Sequence, residues 1–291
     1  MSGVAVGLAL ALAASVALNT GFLLQHTGSA SGPDITARRP IGTLRSLLAS
    51  RAWVLGLGLA TFGWALHVGA LSRAPLSLVQ AFVAGGLVLT VPIGRGLFGQ
   101  SLGRTELVGL CLAAAALGGL AVGIHDHGAH GNFSSLRLGA YLAVSVVAAA
   151  LLAAAPAGSR RPQALGAAGG LLYGSADVAI KALTGVGSRH GLTGALLTPW
   201  LPIAALATVG AFFCFQRALQ TGRALPVIAL MTAATNALSI AAGFAVFGDP
   251  IGRTPGLAAL HAAALALVVG AASLLAPAGQ RSKVEGRRSE H

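Results

Sequence analysis

Long apolar runs separated by short polar segments make up most of the chain. A run of about 20 apolar residues crosses the hydrocarbon core of a bilayer as an α-helix, whose backbone hydrogen bonds are all internal. The first run has no Lys or Arg before its apolar core and is longer than the core of a signal peptide, so we interpret it as a span. The pattern predicts nine spans, numbered in chain order, at residues 4–24, 53–72, 76–96, 106–124, 137–156, 164–185, 195–216, 224–246 and 257–277.

The basic residues of the loops predict how these spans are oriented, because cytoplasmic loops carry an excess of Lys and Arg. When alternate loops are grouped, most of the 19 Lys and Arg residues fall on one side. The other side receives Arg73, Arg137, Arg189 and Arg253. We therefore expect the N-terminus outside and the C-terminus in the cytoplasm, in a plasma or inner membrane. The basic cytoplasmic loop at 26–51 is expected to include a short interfacial helix from Ile41 to Ser50.

Composition excludes an ordinary soluble domain. The chain is 9% charged and 55% hydrophobic, whereas soluble domains are about 25% charged. The net charge of +12 would suggest nucleic acid in a soluble protein, but here the arginines lie in the loops and the tail, so we expect the lipid bilayer as partner and no nucleic acid. We find no nucleotide-binding glycine loop and no nucleophile with an adjacent base, and we expect neither a cofactor nor enzymatic activity.

An eight-residue motif occurs twice. FGQSLGRT at 98–105 returns as FGDPIGRT at 247–254, after the third and the eighth span. The copies are an odd number of spans apart, so the second half of the chain enters the membrane upside down. Inverted-topology repeats are typical of secondary transporters, whose substrate sites lie near the membrane midplane. The predicted units are a first repeat at 1–125, a connecting region with an outer loop and span five at 126–163, a second repeat at 164–277 and a disordered tail at 278–291.

The segments around these motifs resemble the drug/metabolite transporter (DMT) superfamily, which includes EamA-type permeases. The resemblance is carried by FGWALHVGALSRAPLSLVQAFVAGGLVLTVPIGRGLFGQSLGRT and by FFCFQRALQTGRALPVIALMTAATNALSIAAGFAVFGDPIGRT. Many members have a glutamate in the short loop, where this chain has Gln100 and Asp249. Within this superfamily, the chain resembles the NIPA-type magnesium transporter branch. This resemblance is carried by the nine-span layout and by the segments ALNTGFLLQHTG and PLSLVQAFVAGGLVL. The resemblance implies an all-α polytopic fold of two inverted repeats that works by alternating access, with span five as a connector or homodimer contact.

Two opposite charges lie within span six, in GSADVAIKAL. Ionisable residues inside a span are costly and normally face the protein interior, where they pair or serve a pathway. Asp177 and Lys181 are four residues apart and share a helix face with Tyr173. They are either a transport site or a structural ion pair in which the lysine reaches for the outer interface. Close helix packing is expected at Gly166, Gly170 and Gly174, which recur every four residues.

Further polar side chains lie in other spans. Alone, each is more commonly a hydrogen-bond partner between helices than a ligand. By resemblance, spans one, three and eight line the central cavity, which favours Asn19, Gln80 and Asn236. The full set of predicted pathway residues is Asn19, His67, Gln80, Tyr173, Asp177, Lys181, Thr232 and Asn236.

The outer loop HDHGAHGNF suggests a separate metal site. Three histidines and an aspartate within six residues, His125, Asp126, His127 and His130, could chelate Zn²⁺ or Ni²⁺. The alternative is a flexible, solvated loop, because the segment also contains glycines.

Three functions remain open on this sequence. The first is alternating-access transport of a small polar solute or metabolite, and the second is NIPA-like transport of Mg²⁺ or another divalent cation. Divalent cations favour several oxygen ligands, usually with carboxylates, whereas the spans offer one carboxylate whose charge a neighbouring lysine offsets. This scarcity favours the first function, while the resemblance of the nine-span layout to the NIPA-type branch favours the second. The third is a membrane scaffold or assembly factor without transport.

Overall fold

Every regular element in the described part of the chain is an α-helix. The computed structural model describes residues 3–30, 32, 34–35, 39–74, 76, 78–80, 82–83, 93–94, 96, 103–122, 133–154, 156, 158, 160–248, 254–261, 263–264 and 267. The helices are α1 Gly3–Ser29, α2 Pro40–Leu48, α3 Arg51–Leu71, α4 Arg104–Ala121, α5 Ser135–Ala153, α6 Arg161–Leu196, α7 Trp200–Thr221 and α8 Ala224–Ala245. Residues 255–261 are also helical.

Five of these helices, α1, α3, α5, α7 and α8, are long and apolar enough to cross a membrane. They lie at predicted spans one, two, five, seven and eight, and α4 and α6 lie at spans four and six. The chain is therefore an all-helical, multi-pass membrane protein. Spans three and nine fall largely outside the described residues, so the count of nine stays a prediction.

The outward faces of the helices are apolar, as a lipid solvent requires. Leu55 and Phe62 of α3 are 67% and 60% exposed, Val144 and Leu151 of α5 are each 71% exposed, and Leu206 of α7 is 72% exposed. Large exposed apolar surfaces are rare on soluble monomers and mark contact with another apolar phase. In contrast, Ala224–Ala233 at the start of α8 are all buried, which places this helix at the centre of the bundle.

Several helix boundaries differ from the prediction, among them those of α7, which begins and ends five residues later than span seven. α1 ends at Ser29 and α6 ends at Leu196, beyond the apolar runs that predicted them. α6 is interrupted at Gly191, whose φ of 70° and ψ of −176° suit a residue without a side chain. The predicted interfacial helix corresponds to α2, which begins at Pro40, where a missing N–H costs nothing. Hydropathy marks the part of a helix that lies in lipid, and helices continue past it.

Glycines let the helices of each half approach closely. A β-carbon on Gly21 of α1 would lie 2.7 Å from the carbonyl oxygen of Gly56 in α3. On Gly174 of α6 it would lie 2.9 Å from the carbonyl oxygen of Thr235 in α8, and on Gly170 it would collide with the carbonyl oxygen of Met231. α1 therefore packs tightly along α3, and α6 along α8.

Candidate functional site

A cavity of about 380 Å³ lies among α1, α3, α6, α7 and α8. Its volume falls in the range of small-molecule sites, about 300–1,000 Å³. Aromatic rings of Phe22, Trp64, Tyr173 and Phe212 form part of the wall. The polar side chains that line it are Ser15, Asn19, Gln25, Thr61, His67, Gln80, Tyr173, Asp177, Thr208, Gln216, Thr232, Thr235 and Asn236.

Most of the predicted pathway residues meet in this cavity. Asn19, His67, Gln80, Tyr173, Asp177, Thr232 and Asn236 line it, and Lys181 is outside its lining. These residues come from α1, α3, α6, α8 and the segment after α3, and the structure brings them together across more than two hundred positions of sequence. Whether a substrate uses them stays a prediction.

Glycine packing positions the two helices that supply most of these groups. Gly166 of α6 lies against Val227 of α8, where an added β-carbon would be 3.4 Å from the Val227 side chain. The hydroxyl of Thr235 in α8 donates to the carbonyl of Gly170 in α6, at 3.0 Å. This close seam holds Asp177 of α6 and Asn236 of α8 on the wall of the same cavity.

Asp177 is held by groups from two other parts of the chain. Nε2 of Gln80 donates to its Oδ2 at 2.9 Å. Nε2 of His67 lies 3.3 Å from its Oδ1, without the alignment of a hydrogen bond. The side chains of Asp177 and His67 are 12% and 6% exposed. A carboxylate therefore sits at the cavity wall beside a neutral amide and an imidazole.

Lys181 has different partners from Asp177, and the predicted ion pair between them is wrong. Nζ of Lys181 donates to the carbonyl oxygens of Leu71, at 3.0 Å, and Ala74, at 3.2 Å. Leu71 is the last residue of α3, where carbonyls lack helical partners and the helix dipole is negative. The ammonium group therefore caps a neighbouring helix, and the spacing of four residues alone could not reveal this.

Several polar atoms of the cavity lack hydrogen-bond partners among the described residues. They are Oε1 of Gln80, both amide atoms of Asn236 and both ring nitrogens of His67. Gln80 and Asn236 are fully buried. Buried polar groups are nearly always hydrogen-bonded in native proteins. This part of the cavity, here called the polar end, therefore has hydrogen-bonding capacity for a guest.

A second polar cluster, here called the amide cluster, lies at another part of the cavity, where Gln25 and Gln216 belong to its lining. Nε1 of Trp53 donates to Oε1 of Gln216 at 3.1 Å, and Nε2 of Gln216 donates to Oε1 of Gln25. Trp53 and His67 are both in α3, and their separation corresponds to about 20 Å along a helix. The sequence offered one signal for Gln216, a polar residue near the end of an apolar run, and our prediction missed it.

The predicted outer metal site cannot be placed, since His125, Asp126, His127 and His130 lie outside the described residues. Within the described residues, no group of three or more His, Cys, Asp and Glu side chains could hold a metal ion.

Comparison with known proteins gives one relative. The chain is 24% identical over 263 residues to Probable magnesium transporter NIPA9 of Arabidopsis thaliana, and the match covers 84% of this chain and 74% of that protein. No family model matches the chain. No solved structure matches it significantly.

Proposed function

We propose that the chain is a secondary transporter of the DMT type, with nine spans in two inverted repeats, at 1–125 and 164–277. Span five and the outer loop, at 126–163, would connect the repeats, and a polar tail would follow at 278–291. The N-terminus would be outside and the C-terminus in the cytoplasm of a plasma or inner membrane. Support comes from the repeated loop motif, from the apolar helices and from the cavity between helices of both halves.

The substrate that the site supports best is a divalent cation, with Mg²⁺ as the first candidate. The observation that carries this proposal is the carboxylate of Asp177, which lines the cavity while Lys181 binds backbone carbonyls elsewhere. The sequence argument against a cation assumed that the lysine pairs with this carboxylate, whereas Lys181 donates to the carbonyls of Leu71 and Ala74. The similarity to a protein named as a probable magnesium transporter points the same way.

A small organic solute is the second candidate, because the cavity is larger than a bare ion needs. Four aromatic residues line it, and aromatic faces attract organic cations. The third possibility, a scaffold without transport, gives no reason for a buried cavity with a carboxylate at its wall.

Uptake into proteoliposomes distinguishes these functions. The protein is reconstituted and offered Mg²⁺, other divalent cations and a panel of organic cations and neutral metabolites. We expect Mg²⁺ uptake, and we expect Asp177→Asn to lower it about 100-fold or more, because the charge that attracts the cation is lost in a site of low dielectric. Asp34→Asn is the matched control, since Asp34 undergoes the same chemical change in an exposed position outside the cavity.

Three results would contradict the proposal. Uptake of an organic solute without Mg²⁺ uptake would select the second candidate. An equal loss of uptake in Asp177→Asn and Asp34→Asn would show that Asp177 has no special role in transport. If no solute were taken up, the scaffold without transport would be the remaining function.

A further inference from the structure

We propose that the cavity accepts a divalent cation with its first shell of water intact, and that Asn236 and Gln80 recognise this shell. This inference rests on the proposed transport of Mg²⁺ and adds the form in which the ion is bound. It concerns the polar end of the cavity, where Gln80 and His67 lie beside Asp177 and Asn236 belongs to the same lining.

The charged ligands of the cavity are too few for a dehydrated ion. Mg²⁺ gives up water reluctantly, and in proteins it is held by one or two carboxylates while several waters remain bound. Among the described residues, Asp177 is the one acidic side chain of the lining. Within the part of the chain that the structure describes, no group of three or more His, Cys, Asp and Glu side chains could hold a metal ion. In this proposal, water supplies the remaining ligands.

The unpartnered atoms match the outer surface of a hydrated cation. Waters bound to a cation point their hydrogens outward, so the surrounding protein must supply acceptors. Nε2 of Gln80 donates to the carboxylate of Asp177, and a carboxylate accepts hydrogen bonds without donating them. This contact fixes the amide so that Oε1 is the atom left without a partner among the described residues. Oδ1 of Asn236 is a second buried acceptor in the same state.

The cavity also has room for the water shell. Six waters at about 30 Å³ each occupy roughly 180 Å³, and the cavity holds about 380 Å³. A bare ion would leave most of this volume to solvent and would reach a single carboxylate. Asp177, Gln80 and Asn236 all line the cavity, and in this proposal the hydrated ion contacts the three together.

An exchange-inert mimic of the hydrated ion tests this inference. Hexaamminecobalt(III) cannot lose its ligands during the assay and presents N–H donors in the place of water hydrogens. We expect it to compete with Mg²⁺ for uptake by the wild-type protein in proteoliposomes. Asn236→Leu, which keeps the shape of the side chain, should weaken both Mg²⁺ and the complex about tenfold, the value of one hydrogen bond.

Ser239→Ala is the matched control. Ser239 lies on the same helix, is fully buried and has no partner for its hydroxyl among the described residues, but it does not line the cavity. Its removal should leave both affinities unchanged. Thermal unfolding of both variants in detergent shows whether either has lost its fold.

The outcomes separate this inference from the proposed function. Mg²⁺ uptake that a large excess of hexaamminecobalt(III) does not inhibit overturns the hydrated-ion proposal and leaves Mg²⁺ transport standing. Equal effects of Asn236→Leu and Ser239→Ala overturn the role of Asn236. Absence of Mg²⁺ uptake overturns the proposed function, and the present inference with it.

Discussion

The polar end of the cavity and the amide cluster differ in how completely their buried groups are satisfied. In the amide cluster, the indole of Trp53 and the amide of Gln216 form a chain of hydrogen bonds that ends on Gln25. At the polar end, Asn236 has no hydrogen-bond partner for either amide atom among the described residues. Both regions are buried parts of the same helical bundle.

Gln25 and Gln216 also line the cavity, so this difference separates the part of the lining whose hydrogen bonds are already satisfied from the part that can still bind a guest. Hydrogen bonds between α1, α3 and α7 in the amide cluster hold those helices together and need no guest. The unsatisfied amides of the polar end cost free energy as they stand, because a buried polar group without a partner is unfavourable by about 1–3 kcal/mol. A substrate that satisfies them recovers this cost, so the polar end is where we expect binding.

The largest effect on stability is expected from Gln216→Leu. This change leaves Nε1 of Trp53 and Oε1 of Gln25 without the partner they have in the structure. Orphaned groups cost about 1–3 kcal/mol each in proteins, and hydrogen bonds between membrane helices average about 0.6 kcal/mol. We expect the free energy of unfolding to fall by about 1–3 kcal/mol, measured by thermal or denaturant unfolding in detergent.

Uptake should respond differently to the same change. At a temperature where the variant is folded, the KM for Mg²⁺ should stay within about threefold of wild type, a difference of less than 1 kcal/mol. The double variant Gln25→Leu with Gln216→Leu should be less destabilised than the sum of the single variants, because the residues share a hydrogen bond. A large change in KM would remove the distinction between the two regions.

The sequence identified residues that line the cavity, but it did not identify the partners that these residues contact. Polar residues in apolar runs are rare and turn inward, which made His67 a candidate. The family resemblance, which implies that spans one, three and eight line the cavity, further favoured Asn19, Gln80 and Asn236. Their partners could not be selected in this way, because Gln80 and Asp177 are 97 positions apart in sequence. No local pattern encodes which helix end lies beside Lys181, and the ion pair inferred from its spacing was wrong.

For the fold as well, the sequence predicted the elements better than the contacts between them. Apolar runs predicted α1, α3, α5, α7 and α8, because the bilayer imposes length and hydropathy on any helix that crosses it. The extension of α6 to Leu196 passes through Ser188, Arg189 and His190. These residues are polar, so hydropathy does not predict that the helix continues through them. The close contact at Gly170 depends on Met231 of α8, which faces it. The spacing of the glycines predicted close packing on this face of the helix but not the helix that packs there.

Lys181→Met should have an intermediate effect and tests whether the charge of the polar end belongs to Asp177 alone. The substitution keeps the length of the side chain and removes the donors to Leu71 and Ala74. A charge at a helix terminus contributes about 0.3–1 kcal/mol, and up to about 2 kcal/mol when partly buried. We expect a loss of about 1 kcal/mol in the free energy of unfolding.

Transport should be affected much less by Lys181→Met than by Asp177→Asn. Lys181→Arg, which keeps the charge and the donors, is the control for stability. If Lys181→Met stopped uptake as completely as Asp177→Asn, the two residues would act as one unit, and the assignment of Lys181 to a capping role would fail.

The smallest effect is expected beyond the amide cluster, at the contact between Asp34 and Arg217. Arg217 follows Gln216 in α7, and its Nη1 donates to Oδ1 of Asp34 at 2.7 Å. The hydrogen bond from Arg217, together with its charge, lowers the pKa of the Asp34 carboxyl below its ordinary value. The Asp34 side chain is 82% exposed, and exposed ion pairs contribute little because water and salt screen them.

The sign of this effect follows from the lowered pKa. A carboxyl whose pKa is lower in the folded state contributes stability above its unfolded pKa of about 3.9 and loses that contribution as the pH falls through the folded value. Asp34→Asn should therefore lower the thermal midpoint slightly at pH 7, less than Gln216→Leu does, and the difference from wild type should shrink in acid. High salt should shrink it at pH 7 as well. A loss as large as that of Gln216→Leu, or one insensitive to pH, would show that this exposed contact holds the segment after α1 against α7 as strongly as the buried amides hold α1.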